Sequence, residues 1–158
     1  MENRSRKKMH LDRFNYHAGN HVYFVTICTA DKMPFLKDSR VAEIIVDELE
    51  IRRGKEEIIL FCYCIMPDHV HIMISLSQGH NKTLIDWVSF FKRFTARRVK
   101  ASHGIAPLWQ KNFYDHVVRS DEALINVVEY IVNNPVRKGM VRDWKEYPYS
   151  RMVDPLPV

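Results

Sequence analysis

The sequence predicts an α+β fold in which one antiparallel sheet carries helices on one face. Two observations support this class: strand-like stretches rich in β-branched residues are separated by amphipathic stretches, and two strand-like stretches adjoin through a short turn. The 158 residues suit one domain, and a hydrophobic content of 46% suffices for a core. We therefore expect residues 1–158 to form a single domain, with a basic arm over 1–18 and a C-terminal tail over 141–158.

The first half of the chain predicts a strand, a helix and a hairpin. The predicted elements are a strand over residues 21–29, a helix over 38–53, and strands over 57–65 and 69–76. The strands are rich in β-branched and aromatic residues, whereas the helix has apolar residues at helical spacing after a capping residue, Asp38 or Ser39. Because Pro67 and Asp68 are turn formers, we expect a tight hairpin between the second and third strands.

The second half of the chain predicts a long helix, a fourth strand and a shorter helix. These elements cover residues 83–102, 109–119 and 121 to 133 or 134. Gly104 and Pro107 end the long helix, and Asp121 caps the shorter one. Pro135 disfavours helical backbone at the preceding residue, so the shorter helix should end or kink there. The rest of the chain, from residue 136, is predicted to be a tail.

The order of these elements, β-α-β-β-α-β-α with a hairpin in the middle, is typical of the ferredoxin-like fold, which RNA-recognition domains share. We therefore predict a ferredoxin-like, RRM-like βαββαβ sheet with helices on one face and an added C-terminal helix. No repeat, low-complexity segment or linker divides the chain. A fold of this kind assigns no function by itself, so the function must come from particular residues.

The composition argues against a membrane or secreted protein. No stretch approaches the roughly 20 apolar residues of a membrane-spanning helix, and the basic N-terminus lacks the apolar segment of a secretory signal. The three cysteines, Cys28, Cys62 and Cys64, lie on predicted strands. An odd count indicates reduced core thiols in a cytoplasmic protein, and a zinc site would need a second cysteine pair. We expect a cytoplasmic location.

The chain carries a formal net charge of +5, and its basic residues are clustered. Two groups stand out, one near the N-terminus and one on the predicted long helix: Arg4, Arg6, Lys7 and Lys8, and Lys92, Arg93, Arg97, Arg98 and Lys100. Such clusters attract polyanions, of which nucleic acid is the commonest. From charge alone, solvated surface faces are an equally good interpretation.

A pair of histidines lies in the third predicted strand, within the stretch CIMPDHVHIMI. Because residues i and i+2 of a strand share a face, His69 and His71 point their imidazoles at the same spot. Two converging imidazoles are able to bind one metal ion, but a complete site needs at least one further ligand. Two partly buried structural histidines are the alternative.

The C-terminal predicted helix carries a second pair of polar residues. In EYIVNNP, Tyr130 and Asn134 are four residues apart and lie on one helix face, with a hydroxyl and a carboxamide pointing the same way. A half-buried helix residue and a C-terminal cap before proline are the ordinary explanations for these two residues.

Taken together, these stretches resemble a known family. MPDHVHIMI, followed about 60 residues later by EYIVNNPVRKGMV, is similar to the HUH single-tyrosine transposases, and more narrowly to the REP-associated tyrosine transposases of bacteria. YFVTICT resembles the first strand of that family, LWQKNFYDHVVRSDEAL the segment before its nucleophile helix, and DWKEYPYSR its tail. The resemblance covers nearly the whole chain, and the ordered set of segments is far more specific than the histidine motif alone.

The resemblance implies a catalytic site and a reaction. His69, His71 and Asn134 match the ligands of a divalent metal, Mg²⁺ or Mn²⁺, and Tyr130 matches the nucleophile. The third ligand is a glutamine in some relatives, so Asn134 has a shorter reach. The implied chemistry is cleavage and rejoining of single-stranded DNA, in which the tyrosine attacks a phosphodiester and leaves a 5′-phosphotyrosine and a free 3′-OH. Mixed nitrogen and oxygen ligands suit Mn²⁺, whereas Mg²⁺ prefers oxygen.

The resemblance also implies a DNA partner, held at hairpins like those of REP elements. Ten basic residues are the candidate DNA contacts: Arg4, Arg6, Lys7, Lys8, Lys92, Arg93, Arg97, Arg98, His116 and Arg119. Contacts to phosphates give affinity and salt dependence but do not read sequence. A DNA-bound transposase is expected at the nucleoid. The resemblance allows a homodimer with the tyrosine helix supplied in trans, and also a monomer.

Four alternatives remain open from the sequence, one of which is a plain structural domain that binds neither nucleic acid nor metal. Tyr114, beside Asp115 and His116 on the fourth predicted strand, is a rival nucleophile. A non-catalytic module of the same fold would bind DNA or RNA hairpins without a metal and without a covalent product. A small metal-dependent hydrolase would use the same histidines with water as the nucleophile.

Overall fold

The fold is built on one five-stranded antiparallel sheet. The computed structural model describes residues 21–79 and 81–157 of the protein. In chain order the strands are β1 (Val22–Cys28), β2 (Ile58–Met66), β3 (His69–Leu76), β4 (Tyr114–Val118) and β5 (Ser150–Met152). They lie in the order β4-β1-β3-β2-β5, and every neighbouring pair is antiparallel. The predicted α+β fold is confirmed.

Within the described residues, four α-helices accompany the sheet: α1 (Ser39–Gly54), α2 (Leu84–His103), α3 (Asp121–Val132) and α4 (Asn134–Arg137). Asp38 and Thr83 cap α1 and α2, because their side chains accept a hydrogen bond from the first helical turn. The cap of α3 is Ser120, whose hydroxyl accepts from the Ala123 amide at 3.1 Å. The prediction of Asp121 as the cap was wrong by one residue, since Asp121 is already helical.

Helices α1 and α2 cover one face of the sheet. Alternate residues of the central strands, such as Tyr23 and Val25 of β1 and Ile72 of β3, are fully buried there. The aromatic residues Trp87 and Phe91 of α2 are buried in the same cluster and stack with ring centroids 5.4 Å apart. This arrangement is the one predicted, because helices with one apolar stripe bury that stripe against the apolar side of a sheet.

Helix α3 covers the opposite face of the sheet. Its apolar residues are buried in a second cluster together with strand residues of that face: Leu124, Val128, Ile131 and Val132 with Phe61, Cys62, Cys64 and Met73. His69 and His71 belong to the same side of β3 as Met73, because side chains alternate along a strand. The face covered by α3 is therefore the face that carries the histidine pair.

A β-bulge in β2 changes which of its side chains face each of the two hydrophobic clusters. The pairing with β3 passes from Leu60 opposite Ile74 to Cys62 opposite Met73, so Phe61 is an extra residue. Leu60 lies in the α1 and α2 core, and beyond the bulge Tyr63 takes that side. The shift places Phe61 and Cys62 together in the α3 core, which widens the surface on which α3 packs.

The fourth strand and the C-terminal region differ from their predictions. β4 begins at Tyr114 rather than at residue 109, because the Lys92 ammonium group donates to the carbonyls of the loop over 110–112, with 2.6 Å to that of Gln110. Trp109 makes only an isolated bridge with Thr29. The predicted tail over 141–158 contains β5, which pairs with the outer edge of β2.

The three cysteines are buried and form no disulfide. Burial raises the pKa values of the Cys62 and Cys64 thiols to about 12, so both are uncharged at neutral pH. Within residues 21–79 and 81–157, no helix combines the length and the apolar character needed to cross a bilayer.

The docking of α3 is expected to depend on Ile131. Its side chain is fully buried in the α3 core, so Ile131→Ala leaves a cavity and should lower the free energy of unfolding by about 2–5 kcal/mol. Ile125 lies in the same helix but is 47% exposed, and Ile125→Ala should change stability by less than about 0.5 kcal/mol. Urea denaturation of the two variants measures the difference. Equal stability losses would mean that α3 does not dock through this face.

Candidate active site

The histidine pair lies on the face of the sheet that α3 covers. His69 and His71 stand two residues apart on β3, and their ring centroids are 4.6 Å apart. On β1, Thr26 is the direct neighbour of His71 and Cys28 that of His69. The convergence predicted from their spacing is therefore present.

Hydrogen bonds hold both imidazole rings. His69 Nδ1 donates to Asp68 Oδ1 at 2.7 Å, and the Asn134 amide Nδ2 donates to His69 Nε2 at 3.0 Å. His71 Nδ1 lies 2.8 Å from Thr26 Oγ1, which is hydrogen-bonding distance. Both Nδ1 atoms are thus engaged, His69 by the preceding turn and His71 by β1, and this fixes the direction in which each Nε2 points.

Burial keeps both histidines neutral at physiological pH. His71 is only 7% exposed, and its burial, with the neighbouring His69, lowers its pKa to about 3. Burial also lowers the pKa of His69, although the hydrogen bond to Asp68 acts in the opposite direction. A neutral imidazole has a free lone pair, which is the form that binds metal ions.

Tyr130 lies beside the histidine pair. Its ring is near the C-terminal end of α3, is 49% exposed, and has its centroid 5.9 Å from that of His71. Phe24 of β1 packs beside both groups, with ring centroids 5.2 Å from His71 and 6.0 Å from Tyr130. The structure therefore brings the two predicted pairs of residues together on one face.

Asn134 approaches the histidines because the helix breaks just before it. α3 ends at Val132, Asn133 is a turn residue, and the short helix α4 begins at Asn134 with Pro135 in its first turn. The predicted interruption is present, but it falls at Asn133, one residue earlier than predicted, and Asn134 itself is helical. Asn134 is 4% exposed, and its amide is within hydrogen-bonding distance of His69, 65 residues earlier in the chain.

The residues around the histidines fit a divalent metal. Among the described residues, no group of three histidine, cysteine or acidic side chains is placed to bind a metal ion, so the third ligand would be the amide of Asn134. That amide now presents Nδ2 to His69, and a half-turn of its terminal group presents Oδ1 instead. With Asp68 holding His69 Nδ1, the Nε2 atom has the lone pair that a metal needs.

The basic residues of α2 lie on the other side of the sheet and differ in their engagement. Lys92 is tied to the loop carbonyls described above, and Arg98 forms ion pairs with Asp47 at 2.8 Å and Glu48 at 3.0 Å. Arg93 packs against the ring of Phe90 at 4.9 Å. Arg97 lines a groove between α2 and residues 105–111.

The remaining candidate DNA contacts have separate locations. His116 of β4 faces the site, because its ring centroid is 5.1 Å from that of Phe24. Arg119 follows Val118, which pairs with Val22 at the start of β1. His69 pairs with Cys28 at the other end of β1, so Arg119 lies at the far end of the sheet from the histidines. At about 3.3 Å per strand residue, that end is roughly 20 Å from the histidines. Arg4, Arg6, Lys7 and Lys8 lie outside the described residues.

Several residues of the site were not predicted to have a role. Thr26 and Phe24 are alternate residues of β1, and only the pairing of β1 with β3 shows that they face the histidines. Asp68 was assigned to the turn alone, although it also holds His69. Arg137 lies with its guanidinium carbon 4.0 Å from the centroid of the Tyr130 ring, a contact that depends on the break in the helix.

Comparison with known proteins identifies the family. Residues 17–134 match the family model described as "Transposase IS200 like". The chain belongs to the IS200-like transposase family. The resemblance inferred from the motifs is thereby confirmed.

Relatives within the IS200-like transposases place the chain near a particular branch. A Haemophilus influenzae protein classed with the REP-associated tyrosine transposases is 31% identical over 96 residues, which are 55% of this chain and 54% of that protein. The REP-associated tyrosine transposase of Escherichia coli is 28% identical over 88 residues, 56% and 50% of the two chains. This family member thus matches about half the length of each relative.

A solved structure shares the fold of this IS200-like transposase. The structure of a REP-associated tyrosine transposase bound to a REP hairpin superposes with a TM-score of 0.66 at 20% sequence identity. The match covers 88% of this chain and 81% of the other. At this level of identity the likeness shows the fold.

Proposed function

We propose that this transposase cleaves and rejoins single-stranded DNA through a covalent intermediate on Tyr130. The observation that carries the proposal is the placement of an exposed tyrosine, whose ring centroid is 5.9 Å from that of the buried His71, beside a neutral histidine pair on one face of the sheet. A nucleophile beside a site that is able to bind a cation and a phosphate is the arrangement that phosphoryl transfer requires.

The proposed reaction is a transesterification. The Tyr130 hydroxyl loses its proton to water and its oxygen forms a bond to phosphorus, while the bond from phosphorus to the 3′ oxygen breaks. The 3′ oxygen takes up a proton and leaves as a 3′-OH, and the DNA 5′ end stays on the tyrosine. Because one phosphodiester replaces another, the 3′-OH is able to reverse the reaction without ATP.

His69, His71 and Asn134 are the side chains that would hold a divalent cation, Mn²⁺ or Mg²⁺. When bound, the cation supplies positive charge that polarises a phosphate oxygen. Asp68 and Thr26 orient the two imidazoles through their Nδ1 atoms, as partners outside the ligand set commonly do. Phe24 packs against both His71 and Tyr130 and gives the site an apolar wall on the β1 side.

A groove on the α2 side of the sheet is the proposed path for the DNA backbone. It encloses about 460 Å³ between α2 and residues 105–111, and its basic lining residues are Lys92, Arg93, Arg97, Lys100 and Lys111. The groove adjoins the histidine end of the sheet, since Trp109 bridges to Thr29 and the Thr29 amide donates to the Asp68 carbonyl at 2.9 Å. Phosphate contacts here would hold a hairpin near the site.

The partner that we propose is hairpin-bearing DNA. The REP-associated transposase of similar fold is bound to a REP hairpin, and the net charge of +5 favours a polyanion here too. His116 and Arg119, with the basic residues of the N-terminal arm, remain proposed DNA contacts. We also propose a homodimer and an association with the nucleoid.

Incubation with single-stranded DNA tests the proposed function. The substrate is a labelled pool of oligonucleotides that carry a hairpin with randomised flanks and loop, with Mn²⁺ present, and the products are separated on a denaturing gel. We expect a protein–DNA adduct that EDTA prevents. Hairpin binding without an adduct would favour the non-catalytic module, and cleaved DNA without an adduct would favour the hydrolase.

Asp68 is expected to tune the site through His69. Asp68→Asn removes the negative charge that supports His69 Nδ1, so we expect adduct formation at limiting Mn²⁺ to slow by about 10- to 100-fold. The measurement is the Mn²⁺ concentration that gives half-maximal adduct formation. Asp86→Asn, on exposed α2 surface, is the matched control. An unchanged Mn²⁺ dependence in Asp68→Asn would show that this carboxylate does not support the site.

A further inference from the structure

A guanidinium group lies against the ring of the proposed nucleophile. Arg137 is the last residue of α4, and its guanidinium carbon is 4.0 Å from the centroid of the Tyr130 ring. At this distance the cation lies on the ring in a cation–π contact. Arg137 is exposed, so the contact forms at the mouth of the site rather than in the core.

The backbone around Arg137 is anchored on both sides. Asn134 and Pro135 are buried, and the Asn134 side chain reaches His69. After the helix, the Met140 amide donates to the Pro135 carbonyl at 2.9 Å, and Gly139 takes the left-handed conformation with φ of 71°. Arg137 therefore extends from a fixed turn that is tied to the histidine pair.

The polar edge of this guanidinium is left available. Across residues 21–79 and 81–157, no carboxylate forms an ion pair with Arg137, in contrast to Arg98 with Asp47 and Glu48. An arginine stacked through its face keeps its N–H donors in the plane of the group. That planar fork is suited to two oxygens of one phosphate.

We propose that Arg137 binds the scissile phosphodiester next to the Tyr130 hydroxyl and holds the Tyr130 ring for attack. The inference rests on the proposed function, because it assigns a second catalytic group to the same reaction. On the sheet side, the ring centroids of Phe24 and His71 lie 6.0 and 5.9 Å from that of Tyr130. The guanidinium carbon of Arg137 lies 4.0 Å from the same centroid. A phosphate that meets the phenol oxygen then lies within reach of the guanidinium donors.

In this role Arg137 acts through its positive charge and its N–H donors. It neutralises negative charge on the non-bridging oxygens as the phenol oxygen bonds to phosphorus and the 3′ oxygen departs. Donors that are positioned where charge develops stabilise the transition state, and removal of one commonly slows a reaction by about 10²- to 10³-fold. The alternative is that Arg137 only supports the ring and never touches DNA.

Single-turnover cleavage at saturating DNA tests the inference. The substrates are a hairpin oligonucleotide with its mapped scissile phosphate and the same oligonucleotide with an uncharged methylphosphonate there. We expect Arg137→Ala to slow adduct formation on the phosphate by about 100-fold, with hairpin affinity within about threefold of wild type. Arg137→Lys should restore part of the rate. Lys138→Ala, which removes the same charge one residue away, should react like wild type.

The methylphosphonate separates the phosphate contact from simple support of the ring. If Arg137 acts on phosphate charge, wild type and Arg137→Ala should differ on this substrate by less than about threefold. If Arg137→Ala slows adduct formation by the same factor on the phosphate and on the methylphosphonate, the phosphate contact is overturned. If Arg137→Ala forms the adduct on the phosphate at the wild-type rate, the whole inference is overturned. Absence of any adduct with the wild-type protein would instead overturn the proposed function itself.

Discussion

Tyr130→Phe is expected to abolish the covalent protein–DNA adduct. Phenylalanine keeps the ring that packs near Phe24 and His71 but lacks the oxygen that bonds to phosphorus. Removal of the nucleophile of an enzyme leaves only binding effects, so we expect a loss of at least about 1,000-fold in the rate of adduct formation. Denaturing gels with labelled hairpin DNA measure this rate. Hairpin affinity should stay close to that of wild type.

Tyr114→Phe is the matched control for this experiment. Tyr114 lies directly opposite Thr26 in the pairing of β1 with β4, so its side chain belongs to the same face of the sheet as the site. We expect Tyr114→Phe to form the adduct. If the adduct persists in Tyr130→Phe and is lost in Tyr114→Phe, the nucleophile is Tyr114 of β4 and not Tyr130 of α3.

His71→Ala is expected to have the second large effect. The imidazole is buried between β1 and α3, and its removal takes away one proposed ligand together with the contact to Phe24. We expect Mn²⁺ binding, measured by isothermal titration calorimetry, to weaken by more than about 100-fold, because loss of a ligand should exceed the 10- to 100-fold loss caused by its outer partners. Adduct formation should fall in parallel.

His103→Ala provides the control for His71→Ala. His103 ends α2, on the other side of the sheet, and its nearest polar partner is Ser102. Its removal should leave Mn²⁺ binding and adduct formation unchanged. Thermal unfolding of both variants separates a local loss of ligand from a general loss of structure. Wild-type Mn²⁺ affinity in His71→Ala would rule out the proposed ligand set.

The histidine pair was predictable because a strand repeats every two residues, whereas its surroundings were not. The stripe of apolar residues on α3 predicts that the helix packs on the sheet, but it does not say on which face. That choice depends on the pairing of all strands, including the bulge at Phe61. Only the assembled sheet places Thr26 and Phe24 beside His71.

The run of basic residues on α2 predicted a positively charged surface, but it did not predict which side chains bind other parts of the protein. Lys92 and Arg98 lie in the same basic run as Arg93 and Arg97. In the fold, Lys92 donates hydrogen bonds to loop carbonyls, and Arg98 forms ion pairs with two carboxylates of α1. These partners are 18 to 51 residues away in sequence, a separation at which local patterns carry no information.

β5 escaped prediction for a different reason. It has only three residues, Ser150–Met152, and two of them are exposed, so neither length nor alternation marks it as a strand. The edge of β2 provides the hydrogen-bonding groups that make it one. Similarly, the contact of Arg137 with Tyr130 follows from the turn at Asn133, which the sequence marks as a break without giving its direction.

The anchoring of α3 has a consequence for the order in which the site forms during synthesis. The Ser150 hydroxyl donates to the Val132 carbonyl at 2.7 Å, and the Tyr147 hydroxyl donates to the Ile65 carbonyl at 2.6 Å. Both donors follow Tyr130 and Asn134 in the chain. A nascent polypeptide that has reached residue 146 therefore contains every proposed catalytic side chain but lacks both hydroxyls, so the nucleophile is translated before the segment that secures its helix.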